Sequence, residues 1–97
     1  MMQKKRVIAQ LFIKPNSILE FKNMANGLIK KTREEKGCHS YCLYQDILDS
    51  NQFVFVEEYS NQEALNIHFN SEYLKEFVAN ISNLQLKEMI IDIIDIT

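Results

Sequence analysis

The chain has 97 residues and a mass of 11.4 kDa, enough for one domain and too little for two. Apolar residues make up 46% and charged residues 25%, with two glycines and one proline, which excludes a disordered or low-complexity chain. No apolar run is long enough to span a membrane. The basic-then-apolar start over residues 1–13 is interrupted by Gln10 and lacks a small-residue cleavage site, so a cytoplasmic protein without signal peptide or anchor is expected.

The formal charge of −2 conceals an asymmetry: residues 1–36 carry nine Lys and Arg against three Asp and Glu, and residues 37–97 carry two against ten. A basic segment can mark a nucleic-acid face. The interleaved aromatics and Gly-rich loops of such a face are missing here. Lys22, Lys30, Lys31 and Arg33 therefore read as the solvated side of one helix, and no nucleic-acid partner is expected.

Taken in order, Val7–Ile13 is a β-type run with apolar residues on both faces, broken by Lys14-Pro15-Asn16. Ser17 and Glu20 form a capping box ahead of a helical stripe of Ile18, Phe21, Ala25, Leu28, Ile29 and Thr32. Gly27, in mid-helix, is expected to allow a close approach of the sheet, and Gly37 to end the helix. Cys38–Gln45 is a second strand, a polar loop follows over Asp46–Asn51, and Phe53–Tyr59 is a third strand. Its alternation puts Phe53, Phe55, Glu57 and Tyr59 on one face. A second capping box, Ser60 with Glu63, opens a short helix over 61–69. A further helix runs over 72–84, with Leu74, Phe77, Val78 and Ile81 inward, and Met89–Ile96 is the last strand. The order βαββαβ predicts an α+β, ferredoxin-like domain over 1–97, a four-stranded antiparallel sheet with helices on one face.

Helices on one face leave the other face to water, and that face should then be polar. Instead Val7, Ala9, Leu11 and Ile13 oppose Ile8 and Phe12, while Met89, Ile91 and Ile93 oppose Ile90, Ile94 and Ile96. Leaving four to six such side chains wet forfeits roughly 1.5–3 kcal/mol each. An isologous homodimer, sheet on sheet, is therefore expected. Cys38 and Cys42 lie four apart on what reads as a strand, on one face and ~13 Å apart, too far for a disulfide or a shared zinc. Reduced thiols and no metal are expected, with His39 on the face opposite the two cysteines and Tyr44 opposite Tyr41.

Four segments in order resemble a known family: Glu35-Lys-Gly-Cys-His-Ser-Tyr41, Phe53-Val-Phe-Val-Glu-Glu-Tyr59, Glu63-Ala-Leu-Asn-Ile-His68 and Ser71-Glu-Tyr-Leu-Lys-Glu-Phe77. Together they are similar to the antibiotic biosynthesis monooxygenase domain. The resemblance implies a dimeric α/β barrel. It also implies one of several chemistries: cofactor-free oxygenation of quinols and polycyclic aromatics, isomerisation of the phosphorylated autoinducer-two signal, or haem degradation. The chain lacks Trp; Tyr59 stands at the usual strand-three Trp, and Phe55 at the Asn four residues before it. The haem branch is set aside, because its iron-ligand His falls near Val78 and its Trp at His68.

His68 is the first catalytic candidate, since an imidazole takes or gives a proton near neutral pH. Glu57 is the second: it shares a face with aromatics, where a carboxylate is either hydrogen-bonded or raised in pKa, and could orient His68 or act as the base. Tyr41, Phe55, Tyr59 and Tyr73 are expected to line the pocket and stack on a flat small-molecule substrate. The expected activity is a cofactor-independent monooxygenase acting on a quinol or similar small aromatic. The alternatives are an isomerase of a small phosphorylated carbonyl compound and a non-catalytic ligand-binding dimer.

Overall fold

The computed structural model describes residues 3–96. Four strands, β1 (Lys4–Ile13), β2 (Cys38–Gln45), β3 (Gln52–Tyr59) and β4 (Gln85–Ile96), form one sheet in the order β2-β3-β1-β4. Every neighbouring pair is antiparallel. Three helices, α1 (Ile18–Thr32), α2 (Gln62–Phe69) and α3 (Glu72–Ile81), complete the expected α+β, ferredoxin-like architecture. No helix among the described residues is long and apolar enough to cross a membrane.

The alternation of β3 is strict: Phe53, Phe55, Glu57 and Tyr59 are buried, and the residues between them are half-buried. They meet Val7, Ala9 and Leu11 of β1 on the helix side. An aromatic ladder ties this face to the helices, with Phe21 of α1 at 4.8 Å from Phe53, and Phe77 of α3 at 6.0 Å from Phe55, between ring centroids. The opposite face keeps Ile8, Phe12, Val54 and Val56 half-buried, and β4 leaves Ile90 and Ile94 exposed on it.

Several local expectations are corrected. Ser17 makes no side-chain cap; a 3-10 turn over Pro15–Ser17 runs straight into α1, with the Ser17 N–H already donating to the Lys14 carbonyl. The cap of α2 is Asn61, whose Oδ1 accepts from the Ala64 N–H at 2.9 Å. Ser60 instead bonds the Gly37 carbonyl and the His39 ring. Gly27 faces open space rather than the sheet. Gly37 does not end α1, which stops at Thr32. Its requirement is room: a Cβ there would sit 2.3 Å from the Ala64 Cβ, so only glycine lets the turn before β2 lie against α2. The last helix stops at Ile81, followed by a 3-10 turn, and β4 begins at Gln85 rather than Met89.

The most consequential departure is a bulge in β2. Cys38 pairs with Tyr59 and Ser40 with Glu58, so His39 is one residue more than β3 can match. The extra residue shifts the parity of the strand. Cys38 and Tyr41 both register with helix-side residues of β3, whereas Cys42 registers with Val56 on the other face. The two cysteines therefore do not share a face, contrary to the unbroken alternation assumed from sequence. His39 joins Glu58 on the outer side, where Arg6 also reaches that carboxylate.

Candidate active site

The site is built where α2 crosses the inner face of β3. Asn61 fixes the start of α2, and the Ser71 hydroxyl donates to the His68 carbonyl at 2.7 Å, fixing its end. His68 is thereby driven into the layer between helix and sheet and is only 1% exposed. Its ring packs between Tyr41 and Tyr59, at 5.4 and 5.3 Å between centroids.

Two carboxylates address the two ring nitrogens. Nδ1 lies 3.0 Å from Glu35 Oε2, a hydrogen-bond distance, and Nε2 lies 3.9 Å from Glu57 Oε1, which is not. A carboxylate facing Nδ1 is an acceptor, so Nδ1 carries a hydrogen, and Nε2 is the nitrogen on the Glu57 side. Glu35 also accepts from the Tyr73 hydroxyl on the same Oε2. Glu57 Oε1 accepts from the Tyr59 hydroxyl at 2.7 Å.

Electrostatics follow from burial. Desolvation pushes the Glu57 carboxyl up to about 7; the Tyr59 hydrogen bond pulls it back, and the charge of Glu35 adds to the rise. Glu57 is thus divided between acid and base at neutral pH. Burial, with the charge of Glu57 next, drives the phenols of Tyr41 and Tyr59 far above their ordinary range, so both remain neutral. Tyr73 is pushed up to about 12, by burial and then by its bond to Glu35. The Cys38 thiol is raised to about 11 by burial, with Glu35 and Glu57 adding, which leaves no thiolate nucleophile at neutral pH.

His68 and Glu57 open onto a cavity of about 260 Å³ that Tyr41 and Phe55 line from the sheet, Phe77 from α3 and Met89 from β4. The structure therefore brings together four of the six residues singled out from sequence. Tyr59 and Tyr73 are not among the lining residues; each instead holds one of the two carboxylates. Sequence reasoning missed Glu35 as a site residue. Its signal lay in the first of the four quoted segments, but its position in the turn after α1 gave no periodicity to read.

The class that these features define is a small ferredoxin-like α+β domain with a buried histidine between two carboxylates, facing an apolar cavity. Residues 6–80 match the sequence profile of the antibiotic biosynthesis monooxygenases, and the chain belongs to that family. The Synechocystis sp. protein sll1783 is 36% identical over 81 residues, 84% of this chain and 55% of the relative. The chain thus spans just over half of that relative's length. YcnE of Bacillus subtilis, named as a candidate monooxygenase, is 30% identical over 73% of this chain and 75% of its own length. Among solved structures, an antibiotic biosynthesis monooxygenase superposes with a TM-score of 0.90 at 35% identity, covering 96% of this chain and 98% of that one. A conserved protein of Methanosarcina mazei superposes with a TM-score of 0.93 at 31% identity, covering 99% and 95%.

Proposed function

We propose that this protein is a cofactor-independent monooxygenase that oxidises a quinol or similar small aromatic with dioxygen. The observation that carries the reading is the geometry of His68: an imidazole held at Nδ1 by Glu35, with His68 and Glu57 both lining an apolar cavity. A cavity of about 260 Å³ lies just below the range of drug-sized sites and suits a substrate of one or two rings. Tyr41 and Phe55 supply the flat apolar walls.

The 3.9 Å between Nε2 and Glu57 Oε1 leaves both groups free to meet a substrate hydroxyl. One of them takes the hydroxyl proton, and the resulting electron-rich anion passes an electron to dioxygen. Recombination on a ring carbon gives a hydroperoxide. Loss of the hydrogen on that ring carbon as a proton lets its C–H electron pair form a C=O bond as the O–O bond breaks, so one oxygen stays on the ring as a carbonyl and the other leaves as hydroxide, which is protonated to water. In this reading Glu57 in its protonated form delivers the proton that the departing hydroxide needs. No Lys or Arg occurs among the described lining residues, whereas a phosphorylated carbonyl substrate calls for one. That favours the oxygenase over the isomerase.

The working unit in this reading is a cytoplasmic homodimer. Support comes from the apolar outer face, where Ile90 and Ile94 are exposed and Ile8, Phe12, Val54 and Val56 are only half-buried. The test is dioxygen uptake with 1,4-dihydroxynaphthalene as substrate. Wild-type protein is expected to accelerate uptake, with one oxygen atom retained in the product, and His68→Asn to lower kcat by about 10²–10⁴. Turnover that continues without dioxygen, or full activity in His68→Asn, overturns the reading.

A further inference from the structure

The surface holds a second concavity, of about 490 Å³, lined by Glu35, Lys36, Gly37, Ser60 and Glu63 among others. It shares no lining residue with the apolar cavity. Glu35 belongs to the outer cleft and His68 to the inner cavity, and the two are hydrogen-bonded at 3.0 Å. That single bond links the two concavities. The Glu35 side chain is only 10% exposed, and its Oε1 accepts no hydrogen bond from the protein, while Oε2 accepts from both His68 and Tyr73.

We infer that Glu35 is the positioning residue of His68 and the outlet by which a proton collected in the apolar cavity reaches water through the outer cleft. The inference rests on the acid–base reading of His68 given above. A substrate filling a dry cavity blocks the return of its own proton to solvent on that side. An imidazole solves this by accepting at one nitrogen and releasing at the other. The substrate O–H bond breaks and an N–H bond forms at Nε2. The Nδ1 proton passes to Glu35 Oε2, which leaves the imidazole neutral. Glu35 then gives that proton to water in the cleft and is restored as the carboxylate; the reverse transfer, with Nε2 giving its hydrogen to the reduced oxygen and Nδ1 regaining one through Glu35, resets the tautomer, so that the turnover as a whole releases no proton.

The surroundings fit this direction. Around the inner end of the path stand Glu57, Tyr41, Tyr59 and Cys38, all raised and none cationic. At the outer end the cleft carries Lys36 and Glu63, and Lys31 lies over the Tyr73 ring at 5.9 Å from its centroid.

The test combines a measurement that needs no turnover with one that does. Long-range ¹H–¹⁵N correlation spectra are recorded on wild type and Glu35→Gln, a nearly isosteric change whose folding is checked by circular dichroism. Wild type is expected to show His68 protonated at Nδ1, and Glu35→Gln to lose that preference, because an amide can donate to Nδ1 as well as accept from it. An unchanged nitrogen pattern overturns the positioning role. In dioxygen-uptake assays with 1,4-dihydroxynaphthalene, Glu35→Gln should lose about 100-fold in kcat with KM unchanged, and Glu35→Asp should recover part of the loss. Glu35→Ala should be rescued saturably by formate, a small carboxylate that the cleft can admit. Glu35 variants as active as wild type beside an inactive His68→Asn overturn the outlet and leave the acid–base reading intact. A fully active His68→Asn overturns that reading instead, and the spectra still decide the positioning role.

Discussion

Replacing Glu57 by Gln isolates the energetic consequence of burying a carboxyl group in the site. The fold raises its pKa from 4.5 to about 7, an interval equivalent to about 3 kcal/mol. The sign is fixed by proton counting. Between these two values the folded protein holds a proton that the unfolded chain has released. The contribution is therefore complete below pH 4.5, declines as pH rises, and is lost above about 7. Gln keeps the shape of the protonated acid, and its carbonyl can still accept from the Tyr59 hydroxyl. Urea denaturation at fixed protein concentration should show wild type and Glu57→Gln equally stable at pH 4.5. At pH 8 the variant should be more stable by about 3 kcal/mol, while losing the carboxyl group proposed to deliver a proton in turnover. A variant no more stable at pH 8, or one that retains the wild-type decline between pH 5 and 7, would refute the claim that burial strains Glu57.

Two further changes test the framework around the site. Gly37→Ala forces a methyl group to within 2.3 Å of the Ala64 Cβ, and with no flexible side chain to yield, α2 must move. Thermal unfolding should register a loss of about 1–3 kcal/mol, with the His68–Glu35 bond weakened because the two elements carrying it are the ones pushed apart. Val56→Lys places a charge on the outer face, opposite Ile8 and Cys42 on the neighbouring strands. Sedimentation velocity should then report a dimer for wild type and a monomer for the variant, and identical sedimentation of the two proteins removes the case for sheet-on-sheet pairing.

The architecture was legible in the sequence because burial imposes simple periods. The alternation of Phe53 to Tyr59 placed Glu57 on the inner face, and the spacing of Phe21, Ala25, Leu28 and Thr32 gave the buried stripe of α1. What escaped were features fixed by contacts distant in sequence. Glu35 belongs to the site only because the turn after α1 folds back onto α2, 33 residues further along the chain. The role of Gly37 is set by Ala64, not by its own neighbours. The bulge at His39 leaves no mark in composition, yet it places Cys38 and Tyr41 on one side and Cys42 on the other. Both helix caps were misassigned for a related reason. A Ser three residues before a Glu satisfies the spacing rule, but Pro15 supplies a turn that replaces the first cap, and Asn61 is a stronger competitor for the second.

The strict in-and-out rhythm of β3 has a consequence for how such a protein diverges. Odd-numbered positions from Phe53 to Tyr59 face the helices, with Phe55 and Glu57 at the cavity, and even-numbered positions from Val54 to Glu58 face away from it. Adjacent codons thus answer to separate selective pressures. A lineage can exchange what it processes by rewriting alternate letters of one strand, while its mode of association is inherited unchanged in the letters between.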